Sequence, residues 1–146
     1  MKKGKIMTTV AVILIIGLGY FKGMGIYSSS KKVNLGLKNE QLQECGKKPN
    51  CVSTTSTDEK HNVAPIKTSL PFDEVLNRLK EIKLTLISTE NNYAHFTFES
   101  AIMGYIDDIE ILYTKNELYI KSTSRVGYSD MGANRKRVEL IRNILK

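Results

Sequence analysis

The run Ile6–Phe21 constrains this chain more than any other stretch. Its sixteen residues are apolar apart from Gly, Thr and Tyr. Lys22 interrupts, and Gly23–Tyr27 is apolar again, while Met1–Lys5 is basic. A spanning helix wants about 20 apolar residues, so this one spans if Lys22 snorkels to the interface. A secretory signal of similar length usually ends in a small-x-small cleavage site. No A-x-A pattern stands at Tyr20–Tyr27, and no cysteine follows closely enough for a lipoprotein anchor. The expectation is a basic n-region at 1–5 and an uncleaved signal anchor at 6–27, with export after signal cleavage as the alternative. The basic flank before the helix favours an N-in, single-pass orientation in a bacterial-type inner membrane. Lys22, Lys31 and Lys32 weaken that vote without reversing it. The rest of the chain would then be extracytoplasmic (periplasmic).

The formal net charge of +7 is unevenly placed. Residues 1–30 hold four lysines and no acid, so they carry +4 of it. The other 116 residues carry only +3, spread along the chain. Nucleic-acid binding needs a more concentrated basic patch, so no nucleic-acid partner is expected. Cys45 and Cys51 enclose G-K-K-P-N. In an exported protein such a pair can close a small disulfide loop, and Gly46 and Pro49 allow the turn. A metal site would need two further ligands. His61 and His95 are the only histidines and nothing in the sequence brings them together, so neither a metal nor a cofactor is expected.

Residues 28–60 are polar and irregular, which reads as a linker ending in a cysteine loop that lies on the domain. The domain proper is expected at 61–146. His61–Ile66 suits an edge strand, because Pro65 excludes a central position. In Pro71–Ile82 the residues Phe72, Val75, Leu76, Leu79 and Ile82 recur at helical spacing. Pro71 suits the first helical position, with Asp73 and Glu74 in the first turn. Strands are expected at Leu84–Thr89, Tyr93–Ser100, Tyr105–Tyr113 and Leu118–Arg125. A final helix is expected from about Met131 to Leu145, with Asp130 as its N-cap. The fold class is α+β: an antiparallel four- to five-stranded sheet with two helices on one face, preceded by the transmembrane or signal helix.

The pair Tyr105–Tyr113 and Leu118–Arg125 can be aligned from its pattern. With a two- or four-residue loop, Ile109 and Ile111 share a face with Leu118 and Ile120. The opposite face then holds Asp108, Glu110, Lys121 and Arg125, which reads as a solvated face with cross-strand ion pairs. His95 belongs to the face of its own strand opposite Ala94, Phe96 and Phe98, exposed or partly packed. Asp107 falls on the apolar face, beside Ser122 or Ser124. A carboxylate there needs partners, and the hydroxyls or the guanidiniums of Arg135 or Arg137 are candidates. It is either part of a structural network or a functional acid, base or ligand group.

Ser124–Arg137, S-R-V-G-Y-S-D-M-G-A-N-R-K-R, joins the last strand to the last helix. Two glycines, an aspartate, an asparagine and four basic residues are more than apolar burial requires. There is no GxxxxGK[ST] phosphate loop and no G-x-S-x-G nucleophile elbow. The stretch is either a hydrogen-bonded structural corner or an anion or headgroup site at a helix N-terminus.

Three segments together resemble the domain of unknown function 1499 family. They are C-G-K-K-P-N-C-V-S at Cys45–Ser53, Phe98-Glu99-Ser100 leading through Gly104 to Asp107-Asp108-Ile109-Glu110, and S-R-V-G-Y-S-D-M-G-A-N-R-K-R-V-E at Ser124–Glu139. The resemblance covers Cys45 to the C-terminus. It implies a small envelope or membrane-associated protein and supplies no reaction, substrate or cofactor. The candidate residues are Asp107, Arg125, Tyr128, Asp130, Asn134 and Arg135, with Cys45 and Cys51 as a disulfide. The expected function is a non-catalytic binding or structural domain anchored in the cell envelope. Its expected partners are the bilayer, through the N-terminal helix, and an envelope protein or anionic lipid headgroup. The alternative is a small hydrolase or transferase using Asp107 or Asp130 with Arg125 and Arg135.

Overall fold

The computed structural model describes residues 2–31 and 33–146. The apolar run lies in one long helix, α1 (Lys2–Ser30). After it come the two-residue strands β1 (Leu37–Lys38) and β2 (Gln41–Leu42), β3 (Cys51–Ser53), β4 (Ile66–Lys67) and helix α2 (Phe72–Glu81). The chain continues through β5 (Thr85–Glu90), β6 (Tyr93–Glu99), β7 (Ile106–Thr114), β8 (Glu117–Ser124) and helix α3 (Ala133–Ile144). Strands β5 to β8 form an antiparallel meander, and β3 and β4 both pair antiparallel with β8 at its outer edge. The fold is α+β with one large antiparallel sheet of six strands, one more than the upper expectation.

Pattern explains the meander. Phe96 pairs with Ile109, Ile111 with Ile120, and Tyr113 with Leu118, so these side chains share one face. The turn is Lys115-Asn116, both at positive φ (50° and 62°), the conformation of a two-residue hairpin loop that matches strand twist. Helices α2 and α3 cover this face. Val75, Leu76 and Leu79 from α2 and Val138 and Ile141 from α3 join Phe96, Ile109, Ile111, Leu118 and Ile120 in one buried cluster. Arg78 Nη1 donates to the Ile144 carbonyl (2.9 Å), tying the two helices together.

Two expectations need correction. The boundary expected at residue 61 falls inside the folded unit, because Cys51, Val52 and Ser53 pair with Thr123, Ser122 and Lys121 of β8. Three residues are too few for periodicity to reveal a strand. The second face of the sheet is also not solvated. His95, Asp108, Glu110 and Lys121 are all buried. The chain leaving α1 folds back across them: Leu42 is buried there, and the Gly36 amide donates to Glu110 Oε1 (2.6 Å). Asn39 and Glu40, at φ 52° and 62°, make the tight turn that returns β2 along β1.

Cys45 and Cys51 form a disulfide, with Cα atoms 5.7 Å apart. It closes the loop that leads into β3. On loop-closure entropy alone, a ring this short stabilises by about 2 kcal/mol. The double variant Cys45→Ser/Cys51→Ser is therefore expected to lose about that much in thermal unfolding of the detergent-solubilised chain. Equal thiol labelling of the parent with and without reductant would contradict the bridge.

Candidate functional site at the β8–α3 corner

The corner is organised by Asn134, fully buried in the first turn of α3. Its Oδ1 accepts from Ser122 Oγ (2.6 Å) and from Arg137 Nη1 (2.6 Å). Its Nδ2 donates to the Asn50 carbonyl (3.0 Å) and to Ser124 Oγ (3.0 Å). All the hydrogen-bonding capacity of the amide is thus used. Asn50, inside the disulfide loop, donates through Nδ2 to the Gly127 carbonyl (3.1 Å), and the Ser124 amide donates back to the Asn50 carbonyl (2.9 Å). Two of the three segments singled out in the sequence, Cys45–Ser53 and Ser124–Glu139, therefore meet around one side chain.

Asp107 pairs across β7–β8 with Ser124, on the apolar face as expected. Its partner is Arg137, whose Nη2 donates to Oδ2 at 2.7 Å. The same guanidinium donates to Ser122 Oγ (3.0 Å) and lies 4.5 Å over the Phe98 ring. Burial pushes the Asp107 carboxyl above its ordinary value and outweighs the opposing effects of Arg137 and Ser124, and Asp130 adds to the rise.

Asp130 serves the helix start from two residues further out than expected. Gly132, at φ 79°, occupies the cap position. Asp130 Oδ1 accepts from the Gly132 amide (3.0 Å) and Oδ2 from the Asn134 amide (2.7 Å). These are donors that an external anion at this helix N-terminus would have used. Arg135 reaches away from the corner. Its Nη1 and Nη2 donate to the carbonyls of Asn62 (2.9 Å) and Lys60 (2.8 Å). Tyr128 is exposed.

Arg125 lies on the other face of the sheet from Asp107. It grips buried Asp108 with two bonds, Nε to Oδ2 and Nη2 to Oδ1, both 2.8 Å. His95 Nε2 sits 2.8 Å from the same Oδ1. Arg125 Nη1 also donates to the Ser29 carbonyl at the end of α1 (3.1 Å). Burial alone would raise Asp108, but the hydrogen bonds and charges of Arg125 and His95 prevail and hold it below its ordinary value. Beside this cluster, Tyr93 Oη donates to Glu110 Oε1 (2.8 Å), and the Lys121 ammonium faces Oε2 at 3.3 Å.

The six sequence candidates therefore do not form one site. Asp107 and Asn134 come together with Arg137. Arg125 joins Asp108 and His95 on the opposite face. Asp130 caps, Arg135 clamps the chain at 60–62, and Tyr128 projects outward. Sequence reasoning missed the roles of Asp108 and His95, since alternating polar residues look the same under solvent and under a covering segment. Leu35, Leu37 and Leu42 were the available signal, because a mere linker has no use for them. Asp107, Asp130 and Arg137 line a cleft of about 240 Å³, walled by Phe98, Val126 and Met24 of α1. Among the described residues, no group of three or more His, Cys, Asp or Glu is placed to hold a metal ion.

The fold and corner define the class: a single α+β domain docked on the end of its own apolar helix. The sequence profile described as "Protein of unknown function (DUF1499)" matches residues 41–145, and the chain belongs to that family. No curated protein and no solved structure matches it.

Removing one partner of a buried ion pair strands the other charge, at about 3–5 kcal/mol. Arg125→Ala and Arg137→Met are each expected to destabilise the detergent-solubilised chain by about that much in chemical denaturation. The pH dependence follows from the two carboxyls. The lowered Asp108 contributes stability above its unfolded pKa and loses it as pH falls through the folded value. The raised Asp107 contributes below its unfolded pKa and loses that contribution as pH rises through the folded value; without Arg137 that pKa rises further. Both deficits are therefore expected to shrink on acidification from neutral pH, and deficits independent of pH would contradict the ion-pair account.

Proposed function

We propose that this protein is a single-pass cell-envelope protein with an uncleaved N-terminal anchor, and that its extracytoplasmic domain acts by binding. The observation that carries this reading is the way the end of α1 is built into the domain. Ser28 is buried, its Oγ accepts from the Ile106 amide (2.9 Å) and donates to the Ile106 carbonyl (3.4 Å). Gly25 is buried against the backbone of Met103 and Gly104, where an added Cβ would collide. Cleavage within the helix would remove part of the fold, which favours an anchor over a discarded signal. The disulfide supports an oxidising compartment.

The cleft beside Met24 is the natural place for a ligand. At about 240 Å³ it falls below the range of about 300–1,000 Å³ usual for whole small molecules. It suits part of a larger one, such as a side chain of an envelope protein or a segment of a lipid. One observation favours a second reading, a hydrolase or transferase: Asp107 and Asp130 both line this cleft, and Asp107 is raised by burial. Arg125 and Arg135 are engaged elsewhere, which weighs against the four-residue arrangement expected from sequence.

The test is the intact mass of the chain from isolated membranes, with protease treatment of spheroplasts. The expected result is an unprocessed N-terminus and a C-terminal tag removed by external protease. A product shortened within residues 20–30 would overturn the anchor, and a resistant tag would overturn the orientation.

A further inference from the structure

Every residue from Ile6 to Gly23 is exposed except Gly17, and the domain first meets the helix at half-buried Met24 and buried Gly25. This segment holds 18 residues. At about 1.5 Å per residue it spans about 27 Å, close to the roughly 30 Å of a hydrocarbon core. Lys22 marks the interface at its outer end, where its ammonium can snorkel. The backbone of Met103–Gly104 touches Gly25. That backbone therefore lies within about one helical turn of the hydrocarbon edge. The β8–α3 corner reaches the same level, because Gly127, Ser129 and Asp130 share a cleft with Met24.

This end of the domain is unusually apolar. Among the described residues outside α1, the most exposed large apolar side chains are Met131 at 92%, Tyr128 at 72% and Ile102 at 71%, followed by Ile87 at 55%. The first three all lie in the two turns that flank the exit of α1. Neither turn explains them: Met131 holds φ 53°, where Gly or Asn is the easier choice. The opposite end of the sheet differs. The Lys115-Asn116 turn is polar and lies just beyond Thr114, the far end of β7, which is about 27 Å from Ile106.

We infer that the domain rests on the bilayer that holds its own anchor, with Ile102, Tyr128 and Met131 immersed in the headgroup layer and the cleft opening beside them. The inference rests on the anchor reading and adds to it the face that meets lipid. Aromatic and apolar side chains favour that layer. Glu99 and Asp130 stand nearby, so apolar insertion holds the face down, and anionic lipid is not required.

The chain contains no Trp, so single tryptophans report position directly. The full chain is reconstituted in phosphatidylcholine nanodiscs carrying nitroxide lipids, as the variants Ile102→Trp, Tyr128→Trp, Leu14→Trp and Lys67→Trp. Lys67 is exposed and pairs with Glu117 at the far end of the sheet. Emission from 102 and 128 is expected to shift to the blue and to be quenched most by nitroxides at headgroup depth. Leu14→Trp should be quenched most by deep nitroxides and Lys67→Trp by none. If 102 and 128 behave like 67 while 14 is quenched, the anchor stands and the docked face is wrong. If 14 also escapes quenching, the anchor reading itself falls.

Discussion

The Asp108 carboxylate is the interaction on which the architecture turns. It is fully buried on a sheet face that the sequence pattern leaves polar. A carboxylate can stay ionised there only with partners, and Arg125 and His95 supply three contacts of 2.8 Å. Arg125 has one further donor group, which it spends on the Ser29 carbonyl of α1. The charge that stabilises the sheet thus also holds the end of α1. Ser28 completes the attachment on the Ile106 backbone, and the chain beyond covers Glu110 and Lys121 on its way to the disulfide. Helix α1, covering segment and sheet depend on one another through this face.

The helix-bearing face follows the same logic with different residues. Asn134 satisfies four partners drawn from β8, α3 and the disulfide loop, and Arg137 completes the set with Asp107. Much of the polarity of Ser124–Arg137 is therefore explained by hydrogen-bond satisfaction around a tight strand-to-helix corner. What this network leaves over is the side chains of Tyr128 and Met131, both strongly exposed. Proximity to the exit of α1 gives them a physical setting that internal packing does not.

The meander was readable from sequence because period-two alternation admits one register. A slip of one residue would bury Lys121 against the helices and expose the isoleucines. That parity placed Asp107 on the apolar face, and its ion pair with Arg137 is the partner it required. The same parity placed Arg125 on the opposite face, yet the family resemblance grouped it with Asp107 as a candidate. Consecutive strand positions point opposite ways, so a compact motif can serve two separate clusters. The covering segment was not readable, since β1 and β2 have two residues each and carry no period. Without it, the charges on the second face could only be read as solvated. The docking of α1 was hidden for a related reason: Ser28 acts through two hydrogen bonds to Ile106 and Gly25 through the Met103–Gly104 backbone, both far along the chain, and no local pattern announces them.

Amide hydrogen exchange at Ile106 tests the union of α1 and the domain most directly. Its N–H has Ser28 Oγ as acceptor, and Ile106 itself is only half-buried. In full-length protein in nanodiscs the account predicts slow exchange at Ile106, accelerated in Ser28→Ala while Ile109 and Ile111 in the middle of β7 stay protected. Fast exchange at Ile106 in the parent, or equal protection in parent and variant, would mean that the helix is merely tethered to the sheet, and would contradict the account.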